Sequence, residues 1–391
     1  MSAIHTAVPG PNRPDPVLLS VVGILLAIGL LMVASASIAL GDRQHGNAFY
    51  FFERQILAAV MGLAAAWCMA KIPTRVWQSC APWLAGAAIL LLIMVLLPGL
   101  GRTANGSTRW LNIAGINIMQ VSEPVRLMLL VYVADYAVRR NQEIRSSFFG
   151  FAKPLVLVGV AAALLLAQPD FGSAVLLIGI SFTIMFLAGA RLRDVGLTLG
   201  PVVLGFAALA KFSPYRMKRL TGFWDPWADP YGDGFQLTQS LIAIGSGEWT
   251  GLGLGASVQK LFYLPEAHTD FIFAVIAEEF GLLGSLVMIL LYVLLIWRAF
   301  VIARAAATRE QFFQAYIAFG LGVWLALQAA INLGVNMGVL PTKGLTLPLV
   351  SYGRSSLLVT LAALGLLLRI DMENRGIAGA ARRRVNGRVA R

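Results

Sequence analysis

Lys211-Phe-Ser-Pro-Tyr-Arg-Met-Lys-Arg219 opens the one long polar interruption in an otherwise apolar chain. The segment runs on through Phe223-Trp-Asp-Pro-Trp-Ala-Asp-Pro-Tyr231 and Gly251-Leu-Gly-Leu-Gly255, and closes with Gln259-Lys-Leu-Phe-Tyr-Leu-Pro-Glu-Ala-His-Thr-Asp270. A stretch this long between apolar helices is functional or disordered, and its density of aromatic residues argues against disorder. The chemistry is therefore expected here, and the remaining chain reads as the frame that carries it.

That frame is membranous. The 391 residues are 58% hydrophobic and only 13% charged, which exceeds the apolar content of soluble domains and indicates one polytopic integral domain. The formal charge of +12 does not point to nucleic acid, because the basic residues gather at the ends of apolar runs, as the positive-inside bias requires. Cys68 and Cys80 stand in or near apolar runs without metal-ligand spacing, so neither a disulfide framework nor a zinc site is implied. Ala34-Ser-Ala-Ser37 resembles a signal-peptidase site, but the run before it is too long and lacks a basic leader, which predicts an uncleaved first span.

Ten apolar runs are candidates to cross a bilayer: Val17–Leu40, Ile56–Ala70, Ala81–Leu97, Val121–Val138, Leu155–Ala167, Gly172–Ala188, Val195–Ala210, Phe271–Phe300, Phe312–Met337 and Leu349–Leu368. The fold class expected is an all-α bundle of about ten transmembrane helices. Short loops carrying Lys71 and Arg75, Arg139 to Lys153, Arg191 and Arg193, and Arg298 to Arg309 alternate with loops poorer in basic residues. This asymmetry places both termini inside and the segment 211–270 outside, between the seventh and eighth helices. The cluster Arg382-Arg-Arg384 reads as a solvated tail near anionic lipid heads.

Several outer polar groups could carry chemistry. Gly101-Arg-Thr-Ala-Asn-Gly-Ser-Thr-Arg-Trp110 offers glycines, hydroxyls and the guanidinium groups of Arg102 and Arg109; it suits a phosphate, or equally an interfacial turn anchored by Arg and Trp. Glu123 and Arg126, three residues apart, share a helical face and are either functional or a structural ion pair. In Gln168-Pro-Asp-Phe-Gly172 the reading favoured is a tight turn with Asp170 as a helix cap. If the helix after Pro265 begins near Glu266, then Glu266 and Asp270 share a face at the membrane surface and Glu278 lies about 12 Å deeper. A carboxylate at such a lip could act as a general base, although its residue type and place alone fit a capping role better. Gly251–Gly255 lacks dinucleotide spacing and reads as a re-entrant or close-packed turn.

Gly101–Trp110, Ser122-Glu123, Pro169-Asp-Phe-Gly172, Tyr215-Arg216, Gln236-Leu-Thr-Gln-Ser240, Leu264–Asp270 and Leu340-Pro-Thr-Lys-Gly-Leu-Thr-Leu-Pro-Leu-Val-Ser-Tyr-Gly353 together resemble the SEDS family, in its division-specific branch. The likeness covers nearly every span and outer loop, and the last two motifs are long enough to be highly specific. Two positions depart from the family pattern. Val121 stands where the family has proline in Gln-Pro-Ser-Glu, and Arg354 where it has the second glycine of Ser-Tyr-Gly-Gly-Ser-Ser.

The resemblance implies a peptidoglycan glycosyltransferase of the bacterial inner membrane, acting at the division septum, with Asp270 as its essential acid. Its substrate would be lipid II, an undecaprenyl-diphosphate-linked disaccharide peptide. Its partners would be a cognate class B penicillin-binding protein (an FtsI-like transpeptidase) and divisome regulators such as an FtsQ–FtsL–FtsB complex. Arg102, Arg109, Arg126, Arg216 and Lys260 are candidates for the leaving diphosphate, with Glu123, Glu266 and Ser351 as further substrate contacts. No metal ligand or resident cofactor is identified, and a divalent cation at the diphosphate stays open. The organisation implied is an N-terminal tail 1–16, a transmembrane domain 17–370 with periplasmic loop 211–270, and a basic tail 371–391. A lipid II flippase, or a scaffold that recruits the transpeptidase, are the alternatives.

Overall fold

The computed structural model describes residues 14–104, 106–113, 116–211, 222–232, 234–341 and 344–389. The chain begins with α1 (Pro16–His45), α2 (Tyr50–Lys71) and α3 (Thr74–Leu96), then a small sheet of β1 (Gly101–Ala104), β2 (Ser107–Ile113) and β3 (Ile116–Gln120). It continues with α4 (Ser122–Arg139), α5 (Asn141–Ser146), α6 (Phe148–Ala167), α7 (Phe171–Leu187) and α8 (Leu192–Lys211). The last elements are α9 (Phe235–Ser246), α10 (Ile272–Ala307), α11 (Phe312–Asn336) and α12 (Arg354–Val389). Every one of the ten expected spans coincides with a helix. Among the described residues seven helices are long and apolar enough to cross a bilayer by themselves. Of the others, α7 is apolar but has 17 residues, and α4 carries Glu123, Arg126, Asp135 and Arg139.

Local chemistry sets the helix ends. Asp15 accepts from the backbone N–H groups of Val17 and Leu18 at 2.9 and 3.2 Å, directly before Pro16, whose missing donor costs nothing in a first turn. Gly46, at φ 62°, closes α1 with a left-handed cap that donates to the Asp42 carbonyl. Arg354, at the position of the family glycine, is exposed and opens α12; it is not among the residues with positive φ, so the side chain is accommodated without strain.

The bundle is concentric. Within their most apolar stretches α11 and α12 are 67% buried against 28% for α2 and α3, so the former pair form the centre and the latter face lipid. Leu57, Val60, Trp67, Trp83 and Leu90 point outward from α2 and α3, as a hydrocarbon solvent permits. Between α2 and α12 the backbones nearly touch, since a Cβ on Gly365 would overlap the backbone of Ala66. Small residues at such crossings substitute dispersion contact for the hydrophobic drive that is absent inside lipid.

Three features differ from expectation. Within a bundle expected to be all-α, the segment 101–120 is an antiparallel three-stranded sheet in the order β1-β2-β3. Ala104 pairs with Ser107 across the two-residue link at 105–106, Gly106 sits at φ 73°, and the sequence there is Asn-Gly, the preferred composition of a tight hairpin. The helix after Pro265 begins at Ile272, not near Glu266; residues 261–271 are turns, so Glu266 and Asp270 are not related by a helical stagger. Third, α10 is broken. Gly281 adopts φ 65° and ψ −161°, a conformation that only glycine visits readily.

The break is stitched by the glycine-rich turn. Leu252 and Gly253 donate to the carbonyls of Glu278 and Glu279 at 2.9 and 3.0 Å, while Leu282 and Leu283 donate to Glu248 and Trp249 at 2.8 and 3.1 Å. Four groups that the kink removes from the helical ladder thus find partners in one neighbouring segment, as buried backbone requires. The close-packed turn expected of Gly251–Gly255 is therefore present, with its function in the backbone rather than in a nucleotide.

Candidate active site

Asp270 lies half-buried just before α10. Its backbone carbonyl accepts from Nδ2 of both Asn332 and Asn336, at 2.9 Å each. Its Oδ2 faces Gly344, where an added Cβ would lie 3.2 Å away. The segment 344–353 thereby forms one wall beside the carboxylate.

That wall is non-helical backbone sunk into the bundle, with Leu345, Leu347, Leu349, Val350 and Ser351 all buried. Inside lipid such backbone persists only if its polar groups are met from within the protein. Gln328 Nε2 donates to the Thr346 carbonyl at 2.9 Å and Asn332 Nδ2 to the Leu345 carbonyl at 2.7 Å. Gln55 donates to the Ser351 carbonyl at 3.0 Å and accepts from the Gly353 N–H at 3.3 Å. Ser351 uses its hydroxyl to accept from the Leu347 N–H at 2.8 Å, which gives it a structural task in the wall. The Tyr352 N–H donates to the His268 carbonyl at 2.9 Å, tying the wall to the turn that carries Asp270.

His268 is buried against Phe51 and Tyr352, with ring centroids 4.8 and 5.4 Å apart. Burial pushes its imidazole below the ordinary range, and the nearby Glu266 carboxylate pulls the other way. Glu266 itself is exposed and accepts from the Thr269 hydroxyl at 2.7 Å.

Glu123 and Arg126 do share a face, and they form a buried fork-to-fork pair at 3.4 Å. Arg126 also donates to Gln328 Oε1 at 3.0 Å and to the Ser173 hydroxyl at 3.5 Å, and lies 4.8 Å from the centre of the Trp324 ring. Ser173 donates in turn to Asp170 Oδ2 at 2.8 Å. Asp170 caps α7 as expected, accepting the Ser173 N–H, and faces Arg109 at 3.9 Å. Arg109 also donates to the Pro169 carbonyl, so it fastens β2 to the α6–α7 turn. One chain of polar contacts therefore runs from Arg109 through Asp170 and Ser173 to Arg126 and Glu123, then through Gln328 to the wall at Thr346.

The other expected groups are placed apart. Lys260 is paired with Glu279 at 2.6 Å and donates to the Ser35 hydroxyl at 2.8 Å, so its charge is neutralised inside the protein. Glu278 accepts from the Ser257 hydroxyl at 2.5 Å and from the Val258 N–H at 3.0 Å, holding the turn that leads to Asp270. Arg102 is exposed on β1 opposite Trp110. Arg216 lies outside the described residues. Among the described residues Arg102 and Arg109 are thus the candidate diphosphate contacts that retain surface exposure, at 21% for the Arg109 side chain.

Sequence reasoning passed over Gln55, Gln328, Asn332 and Asn336. The last three carried a readable signal: amides at i, i+4 and i+8 fall on one face of an apolar helix, where an unpaired amide would be costly. Among the described residues no three His, Cys, Asp or Glu side chains gather as a metal cage.

Comparison with known proteins puts this geometry in context. A family model described as Cell cycle protein, covering FtsW, RodA and SpoVE, matches residues 16–376. A probable peptidoglycan glycosyltransferase FtsW of Thioalkalivibrio sulfidiphilus (strain HL-EbGR7) is 57% identical over 349 residues, which is 89% of this chain and 87% of the relative. Its namesake in Coxiella burnetii is 50% identical over 349 residues, covering 89% of this chain and 94% of the relative. A solved chain from work on the structural coordination of polymerization and crosslinking by a peptidoglycan synthase complex superposes with a TM-score of 0.74 at 30% identity, covering 93% of this chain and 98% of that one. The rod shape determining protein RodA of Thermus thermophilus superposes at 0.68 with 29% identity and the same two coverages.

Proposed function

Because the chain belongs to the FtsW/RodA/SpoVE family of cell cycle proteins, we propose that it is a multi-pass inner-membrane peptidoglycan glycosyltransferase that polymerises lipid II at the division septum, with Asp270 as general base. The observation that carries the assignment of the base is the fixing of Asp270 at the head of α10, its carboxylate turned to the wall at Gly344 and its backbone held by two buried amides. A carboxylate placed so is preorganised to take a proton from an acceptor sugar hydroxyl. The oxygen so activated attacks the anomeric carbon of a second lipid-linked sugar, the bond from that carbon to the diphosphate breaks, and the lipid diphosphate leaves. One displacement inverts the anomeric centre.

Arg102 and Arg109 receive the developing negative charge of the leaving group, for which guanidinium forks are suited. Arg216 joins them in this proposal. Arg126, Glu123, Lys260 and Ser351 act from beneath, by fixing the backbone on which the reacting groups sit, and Glu266 borders the acceptor side. Residues 17–370 form the transmembrane domain, with the segment 211–270 periplasmic and both termini, including the basic stretch 371–391, cytoplasmic; the alternation of basic loops supports this orientation. The partner is a class B penicillin-binding protein that crosslinks the glycan, under regulators of the FtsQ–FtsL–FtsB type.

The test is polymerisation of purified lipid II in detergent by the chain with its cognate transpeptidase. The wild type yields glycan strands, and Asp270→Asn, which keeps size and removes basicity, does not. A flippase or scaffold yields no glycan without a compartment, and undiminished polymer from Asp270→Asn would overturn the assignment of the base.

A further inference from the structure

The amide ladder of α11 does more than satisfy backbone. In an ordinary first turn the Ala274 N–H would reach the carbonyl of residue 270, four positions back. Here Asn336 stands between them. Its Oδ1 accepts the Ala274 N–H at 3.1 Å, a donor shared with the Phe271 carbonyl at 3.1 Å, and its Nδ2 donates to the Asp270 carbonyl at 2.9 Å. The insertion agrees with α10 beginning at Ile272, after Asp270 rather than through it. Asn332, one turn along α11, donates to the same Asp270 carbonyl at 2.9 Å and to the Leu345 carbonyl at 2.7 Å. One buried side chain therefore grips both the residue bearing the carboxylate and the strand of wall next to Gly344, which that carboxylate faces.

We propose that Asn332 and Asn336 are positioning residues, which fix the Asp270 carboxylate at working distance from the 344–347 wall without touching substrate. The proposal rests on Asp270 being the base. With both amides in place the two lone pairs of the Asp270 carbonyl are used, and the residue cannot slide into the helix or away from the wall. With Asn332 gone, the bridge between residues 270 and 345 is cut while the carboxylate, the cationic groups and the lipid-facing surfaces are unchanged. Misplacement of a reacting group by about 1 Å costs on the order of 100-fold in rate.

The experiment is steady-state polymerisation of purified lipid II by the chain with its cognate transpeptidase, per unit of monodisperse protein, for wild type, Asn332→Leu and Asp270→Asn. Asn332→Leu is expected to lower kcat by about 10- to 100-fold with KM held within about threefold. Asn332→Gln keeps an amide but moves it by one methylene, and is expected to lower kcat in the same direction should the leucine variant fail to assemble. If Asp270→Asn is inactive while the Asn332 variants keep wild-type kcat, or lose activity only through KM or through the amount of folded protein, positioning is refuted and the base survives. If Asp270→Asn is active at the wild-type rate, the base itself is wrong.

Discussion

Gly281→Ala attacks the join between the two halves of α10. The native residue holds φ 65° and ψ −161°, a combination whose adoption by alanine costs about 1–3 kcal/mol. Its Cβ would also lie 2.5 Å from the Gly251 nitrogen, 2.6 Å from the Trp249 carbonyl carbon and 2.7 Å from the Thr250 nitrogen, all backbone atoms that no rotamer change can clear. Relief requires the 248–253 turn to withdraw, which strains the four hydrogen bonds at 2.8–3.1 Å that cross the break. At about 1 kcal/mol net for each bond, losing two of the four adds roughly 2 kcal/mol, so the expected total is about 3–5 kcal/mol. Gly255→Ala is the matched control. It too has positive φ, at 82°, but faces open space, and should cost only the dihedral term of about 1–2 kcal/mol. Equilibrium unfolding of the two purified variants in mixed micelles measures the difference. Equal losses would mean that the turn and the break do not bear on one another, and the account of the stitched helix would have to be given up. Lipid II polymerisation should fall with Gly281→Ala as well, since Glu278 and Glu279 beside the break hold Ser257, Val258 and Lys260 on the path to Asp270.

Arg126→Met strips the buried partner from Glu123 and should destabilise the fold by about 3–5 kcal/mol, most of it recovered in Arg126→Met/Glu123→Leu; a neutral single variant in the same unfolding assay would contradict a matched buried pair. Gly344→Ala puts a methyl 3.2 Å from Asp270 Oδ2, tight enough to shift the carboxylate slightly, and is expected to reduce lipid II turnover several-fold with little change in melting temperature; wild-type kcat would show that the wall does not bound the reacting group. His268 titrates lower in the folded protein than in the unfolded chain because it is buried, so the unfolded state takes up protons first as pH drops. Stability is then full above the unfolded value near 6.5 and declines as pH falls from there through the lowered folded value. His268→Gln should flatten that part of the melting-temperature profile, and an unchanged slope between pH 7.5 and 5.5 would assign the dependence to other groups.

What could be read from the chain beforehand follows from the range of the interactions involved. All ten spans were legible because hydropathy over about 20 residues is a local property that the bilayer enforces. Asp170 as a cap and Glu123 with Arg126 on one face were legible for the same reason, since their partners stand three residues away. The start of α10 was not. Local pattern allows a helix from Glu266, whereas the Ala274 N–H turns to the Phe271 carbonyl and to an asparagine 62 residues further on. Lys260 stood as a candidate for the diphosphate because its partners Glu279 and Ser35 come to it from 19 and 225 positions away. The sheet at 101–120 was hidden by short strands with register shifts beside Thr103 and Asn112, although Asn105-Gly106 carried the hairpin signal.

Among the described residues the 344–353 wall and the break at Gly281 are both places where the backbone leaves the helix inside this bundle, and both connect to Asp270. An acid on an unbroken helix would be held with its own turn, and a shift of the helix would carry it away from a wall built on another element. Here the carbonyl of Asp270 is bound to α11, the carbonyl of its neighbour His268 accepts from Tyr352 in the wall, and Glu278 anchors the turn leading to it from the far side of the chain. The acid is thus referenced to three elements at once, and its distance from the wall depends on side-chain amides rather than on the regularity of any one helix. Amide contacts of about 1 kcal/mol each are individually weak, so it is their number on a single residue that makes the position unique. The same reasoning places the cost of error unevenly. A lipid-facing residue such as Leu57 or Leu90 can change with little consequence, whereas one added methylene at Asn332 is expected to displace Asp270.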